Sequence, residues 1–144
     1  MANNWRQNLG IEDIEFESYG FDDYLTKTDN REATGPMRFG WVMDYPSIQN
    51  YLGPMYATGG SSNSSLYSNP EFDDLLAQGD ASSIEEGVPF YQQAEDILCQ
   101  DMPGIPIYHS VNQTAWTDRI DNIQVDALSF LRVADVEVVG EARA

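Results

Sequence analysis

Asp44 follows an apolar run, Met37-Arg38-Phe39-Gly40-Trp41-Val42-Met43, and precedes Tyr45-Pro46. A carboxylate at a strand's carboxyl end, flanked by Trp41 and Tyr45, suits a ligand ammonium held by charge-assisted hydrogen bonding between aromatic walls. The competing role is capping, because Asp is a common helix N-cap and a helix can start near Pro46. From these residues alone, capping is the commoner use. The other candidates for chemistry are thinner. His109 and Cys99 could pair as base and nucleophile, but Cys99 falls toward the flank of a helix's apolar arc, where it is expected to act as a small hydrophobe. A single His is too few for a typical zinc site. Asp22-Asp23, Asp73-Asp74 and Glu85-Glu86 lack the alternating oxygen spacing of a calcium loop. The sequence has no phosphate-cradling glycine loop with its Lys, no Cys-x-x-Cys and no Gly-x-Ser-x-Gly elbow. Asn63-Ser64-Ser65 and Asn112-Gln113-Thr114 match glycosylation acceptors, a pattern common by chance.

Elements must position these groups. Residues 3–8 read as helix stopped at Gly10, and Ile14 and Phe16 alternate with acids as in a strand with one wet face. Phe21, Tyr24 and Leu25 fall at helical spacing. The run 37–43 reads as a buried strand ending at Asp44. A brief helix with Ile48, Tyr51 and Leu52 follows and is expected to stop at Gly53-Pro54. Residues 58–65, rich in Ser, Gly and Asn, read as a flexible loop and a candidate ligand contact. Asn69-Pro70-Glu71 starts a helix with a cap, Pro in the first turn and acids at the positive dipole end, closed by Gly79. Ser82-Ser83 with Glu85-Glu86 opens the longest helix, running to about Met102 with Ile84, Val88, Tyr91, Ala94, Leu98 and Met102 on one stripe. Its regular part is placed after Pro89. Ile105-Pro106-Ile107-Tyr108-His109 starts a short strand, and Pro106 makes it an edge strand or a strand's beginning. Residues 112–139 alternate apolar and polar side chains and read as strands or extended arms. The fold class is α/β in the mixed, α+β sense.

The 144 residues carry 24 acids against 7 bases, a formal charge of −17. That balance disfavours nucleic acid and anionic membrane surfaces as partners, since both are bound through Lys and Arg. Only Lys27 offers an ammonium, so surface ion pairs are expected to be few. With 42% apolar residues the chain has enough hydrophobic surface to fold rather than stay disordered. The lone Cys99 does not reveal a redox compartment. No run approaches the ~18 apolar residues of a membrane span, and the first residues lack a signal peptide's order, so either the protein is cytoplasmic or its front end is missing.

The order of motifs says more than any one of them. Gly40-Trp41-Val42-Met43-Asp44-Tyr45-Pro46 comes first, then Asn50-Tyr51-Leu52, then a Ser/Asn loop ending in Tyr67-Ser68-Asn69-Pro70-Glu71-Phe72-Asp73-Asp74-Leu75-Leu76. Tyr91-Gln92-Gln93-Ala94-Glu95-Asp96-Ile97-Leu98 and Asp101-Met102-Pro103-Gly104-Ile105-Pro106-Ile107-Tyr108 complete the series. This succession resembles the C-terminal part of the oligopeptide- and dipeptide-binding proteins of ABC importers, solute-binding protein family 5. Trp5-Arg6-Gln7-Asn8-Leu9-Gly10-Ile11 is similar to that family's helix-to-strand step.

The resemblance implies an incomplete C-terminal lobe of a two-lobed periplasmic-binding-protein-like fold. Residues 1–111 would belong to the ligand-binding lobe, and residues 112–144 to a tail that returns to the other lobe. It implies a non-catalytic, monomeric, extracytoplasmic receptor, periplasmic or a lipoprotein, that needs no cofactor or metal. Such a receptor closes around a peptide and delivers it to permease subunits. Carried onto this sequence, Asp44 would hold the peptide's α-amino group, and Gly40, Trp41, Val42 and Met43 would pair with its backbone beside Tyr45. Asn63, Tyr108 and His109 would lie in pocket-lining regions. Many members continue Asp-Tyr-Pro with Asp-Pro, where this chain has Ser47-Ile48. That departure keeps a nickel chelate, a sugar or another solute open as ligand, with a hydrolase as the rival from another class.

Overall fold

The computed structural model describes residues 2–126 and 128–140. They divide into two units between Phe39 and Gly40. In the first, helix α1 (Ala2–Leu9) ends where Gly10 turns to φ 66°. Beyond it Arg6 donates to the carbonyl of Ile14. The strand expected around Ile14 and Phe16 does not form, and Phe16 is 78% exposed. Alternation alone cannot make a strand, because the ladder needs a neighbouring backbone. Helix α2 (Phe21–Asp29) has Asp22 and Asp23 in its first turn and buries Thr28, whose hydroxyl donates to the carbonyl of Leu25 at 2.8 Å. Tyr24 ties this helix to the chain beyond it through a 2.6 Å bond to the carbonyl of Arg38.

The second unit is organised by three helices: α3 (Gln49–Tyr56), α4 (Pro70–Asp80) and α5 (Ile84–Asp101). Their shared core is Leu52, Phe72, Leu76, Tyr91 and Ala94, with Phe72 fully enclosed at 0% exposure. The start of α4 is capped as the sequence predicts: Asn69 Oδ1 accepts from the amides of Glu71 at 3.0 Å and Phe72 at 3.3 Å. Those bonds satisfy two of the four amides that every helix start leaves unpaired. Ser83 caps α5, accepting from the Glu86 amide and donating to the Glu86 carboxylate at 2.7 Å.

Three helix readings are corrected. Gly53-Pro54 lies within α3 rather than ending it. Pro54 removes one amide from an eight-residue helix, and the turn still closes through Ala57 N donating to Gly53 O at 3.1 Å. Gly79 does not close α4 but is buried inside its last turn. Helix α5 is regular from Ile84, before Pro89, and its stripe is rotated at the start: Ile84 is 91% exposed while Gly87 is buried. The cause is the α4/α5 crossing. A Cβ at Gly87 would stand 2.9 Å from the carbonyl oxygen of Gly79, and one at Gly79 would stand 2.5 Å from the Tyr91 ring. Two side chains reduced to hydrogen let the helices touch, and that contact fixes which face of α5 turns inward.

The Ser/Gly/Asn loop is fastened to the end of α3, contrary to the expectation of a flexible segment. Gly60 N donates to Ala57 O at 2.8 Å and Ser62 N to Pro54 O at 2.9 Å. A Cβ on Gly60 would come within 2.6 Å of Pro54 O and 2.7 Å of Gly53 O, so only glycine can approach these carbonyls.

The expected buried strand at 37–43 and short strand at 105–109 are also absent; Ile105, Ile107, Tyr108 and Val111 are exposed. Both runs find no backbone ladder among the described residues. In the tail, β1 (Ile120–Asp121) pairs antiparallel with β2 (Glu137–Val138), Ile120 opposite Val138. Between them Val125 bridges Leu131 around a turn whose Asp126 carboxylate accepts from the amides of Leu128 and Phe130, each at 2.9 Å. Arg132 Nε lies 2.9 Å from the Asp135 carboxylate. Residues 141–144 of the expected tail lie outside the described residues. The architecture is therefore mixed, helices with one small antiparallel sheet, and no described helix is long and apolar enough to cross a membrane.

Candidate functional site

Residues 40–43 form no regular element and residues 44–46 bend, and Trp41 and Met43 are half-buried while Val42, Asp44 and Tyr45 are exposed. This is the period-two alternation of a strand without the ladder. Among the described residues, the backbone groups of residues 40–43 take no hydrogen bond.

Asp44 does not cap the next helix. The residue before α3 is Ile48, with no side-chain cap, while Ser47 Oγ accepts from Gln49 N at 3.3 Å. What holds Asp44 is Asn50, a polar residue inside α3 that is only 3% exposed. Asn50 Oδ1 accepts from Trp41 Nε1 at 3.0 Å and from the Asp44 amide at 2.9 Å, and its Nδ2 faces Asp44 Oδ2 at 3.5 Å. The other Asp44 oxygen takes no hydrogen bond among the described residues. The arrangement presents a solvent-facing carboxylate, steered on one side and open on the other, beside an indole whose N–H is already engaged. Such a group can receive a cation.

Tyr45 belongs to a second chain of contacts. Its hydroxyl donates to Gln49 Oε1, Gln49 Nε2 donates to Asp80 Oδ2 at 3.4 Å, and Tyr91 donates to Asp80 Oδ1 at 2.7 Å. Burial, reinforced by the Asp80 bond, pushes the Tyr91 hydroxyl up to about 12. Across the helices, Tyr67 donates to Asp101 Oδ2 at 2.6 Å and Asn69 Nδ2 donates to the same oxygen at 2.9 Å. Burial first, then that carboxylate, pushes Tyr67 up to about 12, while the hydrogen bonds from Tyr67 and Asn69 hold Asp101 below the usual carboxylate range.

The remaining sequence candidates are dispersed. Asn63 spends its side chain inside the loop, donating to the carbonyls of Ala57 at 2.9 Å and Tyr67 at 2.8 Å and accepting from Tyr67 N. Tyr108 and His109 lie exposed in the segment after α5, and Cys99 is exposed on α5 rather than packed as a small hydrophobe. Among the described residues no group of acids, His and Cys could hold a metal ion. A groove of about 590 Å³ opens between α3, the loop and α4, floored by Pro54, Leu76 and Ala77. Its acids already accept hydrogen bonds, Asp73 from the Thr58 amide and Asp80 from Tyr91 and Gln49. Asn50 is the residue that sequence reasoning passed over, entering only as part of a motif. Its signal was a polar side chain two residues from the core position Leu52, in a helix with little polar business.

No family model matches the chain. It is 32% identical over 77% of its length to the periplasmic oligopeptide-binding protein OppA of Haemophilus influenzae. It is 30% identical over 78% to the periplasmic murein peptide-binding protein MppA of Escherichia coli, and 32% identical over 72% to heme-binding protein A of Haemophilus influenzae. The chain spans about a fifth of the length of these curated relatives. All three are named for what they bind, and none for a reaction.

Proposed function

We propose that this chain, a relative of the oligopeptide-binding proteins, forms part of an extracytoplasmic solute receptor that captures peptides between two lobes and delivers them to the permease subunits of an ABC importer. Residues 1–111 contribute to one lobe and residues 112–144 return to the other. The observation that carries this reading is the match to proteins named for oligopeptide and murein peptide binding.

The geometry around Asp44 supports a division of labour. The exposed carboxylate, oriented by Asn50, anchors the peptide's α-amino group. The unladdered backbone of residues 40–43 offers donors and acceptors to an incoming extended peptide, a mode that gives affinity with little dependence on side chains. A charged hydrogen bond of this kind contributes roughly 2 kcal/mol, or roughly thirtyfold in affinity. Titration calorimetry on the full natural protein carrying this sequence should therefore show tri-alanine binding about thirtyfold tighter than N-acetylated tri-alanine. Asp44→Asn should erase most of that difference. Equal affinity for the two peptides would sink the ammonium-anchor reading, and cleavage of the peptide would sink the receptor reading.

A second reading rests on the similarity to a heme-binding protein. It predicts saturable hemin binding with a shifted Soret band and no affinity for tri-alanine.

A further inference from the structure

We propose that Asn50 is a positioning residue that holds the Trp41 ring and the Asp44 carboxylate in one arrangement, and so sets how sharply the site distinguishes a free amino group. The proposal rests on the reading of Asp44 as the ammonium anchor, and it is carried by the direction of three contacts. Trp41 Nε1 and the Asp44 amide are donors only, so the side-chain oxygen of Asn50 must face them; its nitrogen is thereby turned to the Asp44 carboxylate. The amide has no alternative orientation that satisfies all three partners.

Asn50 is nearly enclosed, and a buried amide is costly unless its hydrogen bonds are made. Every side-chain bond it makes goes to residues 41 and 44, none to its own helix. Its role is therefore directed at the segment that precedes α3. That segment has no ladder of its own, so the bonds to Asn50 supply the alignment that strand pairing supplies elsewhere.

The test uses the full natural protein, with Asn50→Ala and Asn50→Ser as variants and far-UV circular dichroism to confirm the fold. Both should speed hydrogen exchange at the Trp41 indole and the Asp44 amide by about tenfold or more, the indole signal being assigned by its loss in Trp41→Phe. The preference for tri-alanine over its N-acetylated form should fall about tenfold. Asn50→Asp keeps the shape and the acceptor, and should restore protection of the Trp41 indole. Unchanged exchange at both sites in the folded variants overturns the proposal whatever the ligand. Faster exchange with undiminished amine preference, in a protein where Asp44→Asn abolishes that preference, overturns the positioning role while leaving the anchor intact. A preference that survives Asp44→Asn refutes the anchor instead, and the exchange data then decide alone whether Asn50 holds the segment.

Discussion

Replacing Gly79 with alanine would ordinarily stabilise a helix by about 1 kcal/mol, because alanine loses less backbone entropy on folding. Here the sign should reverse. The added Cβ would stand 2.5 Å from Tyr91 Cε1, 2.7 Å from Cζ and 3.0 Å from Cδ1, whereas carbon atoms in contact prefer ~3.5–4.0 Å. The ring must retreat by about 1 Å to restore contact distance. It is not free to do so, because the Tyr91 hydroxyl is bonded at 2.7 Å to Asp80, the residue next to Gly79. Overpacking of this kind costs roughly 1–3 kcal/mol, and a charge-assisted hydrogen bond at risk is worth roughly 1.5–3 kcal/mol. Set against the propensity gain, the net loss is about 2 kcal/mol. Urea unfolding followed by circular dichroism should show the midpoint of Gly79→Ala falling by about 1–2 M at unchanged slope. In a Tyr91→Ala background the same substitution should be neutral or stabilising, giving a coupling energy near the full single-mutant loss. A raised midpoint in the single mutant, or additivity in the pair, would refute the reasoning that the glycine exists to seat the ring.

Two further outcomes follow from the caps and the tyrosines. Asn69→Ala removes the acceptor of the Glu71 and Phe72 amides and the donor to Asp101, and should cost about 1–2 kcal/mol in the same urea assay; Asn69→Asp keeps the cap but sets a carboxylate against Asp101, so it should recover only part of the loss. Tyr67 and Tyr91, pushed up to about 12, favour the neutral phenol in the folded state. Their contribution to stability is fully present below pH ~10 and is lost as pH rises toward ~12. Phenolate absorbance should therefore show Tyr67 and Tyr91 titrating last, and Tyr67→Phe with Tyr91→Phe should flatten the alkaline loss of stability. Simultaneous titration of all tyrosines near pH 10 would contradict this.

What could be read from the residues alone depended on the range over which each signal acts. The starts of α4 and α5 were legible because Asn69 and Ser83 cap amides two or three residues away. The strands expected at Ile14, Met43 and Ile107 did not form, because a strand is defined by a partner that neither alternation nor an apolar run supplies, whereas the two short strands that do pair lie within residues 112–139, which read as strands or extended arms. The inward face of α5 was misjudged at Ile84 because the close crossing at Gly79 and Gly87, set by absent side chains, outweighs the apolar count. Asp44 could be singled out from its neighbours in sequence. Its relation to Asn50 could not, since the bonds that join them reach across the turn into α3 and depend on the direction of one buried amide.

The loop after α3 bears on how this chain could be altered. Its Ser, Gly and Asn residues suggest a tract in which order is immaterial, yet position 60 must be glycine to lie against the carbonyls of Gly53 and Pro54, and Asn63 pins the far side to Ala57 and Tyr67. A graft of identical length and composition with the order shuffled would unfasten the end of α3, the helix that carries Asn50. Within this low-complexity stretch the information lies in the order of the residues, and an engineer who preserved only the composition would discard it.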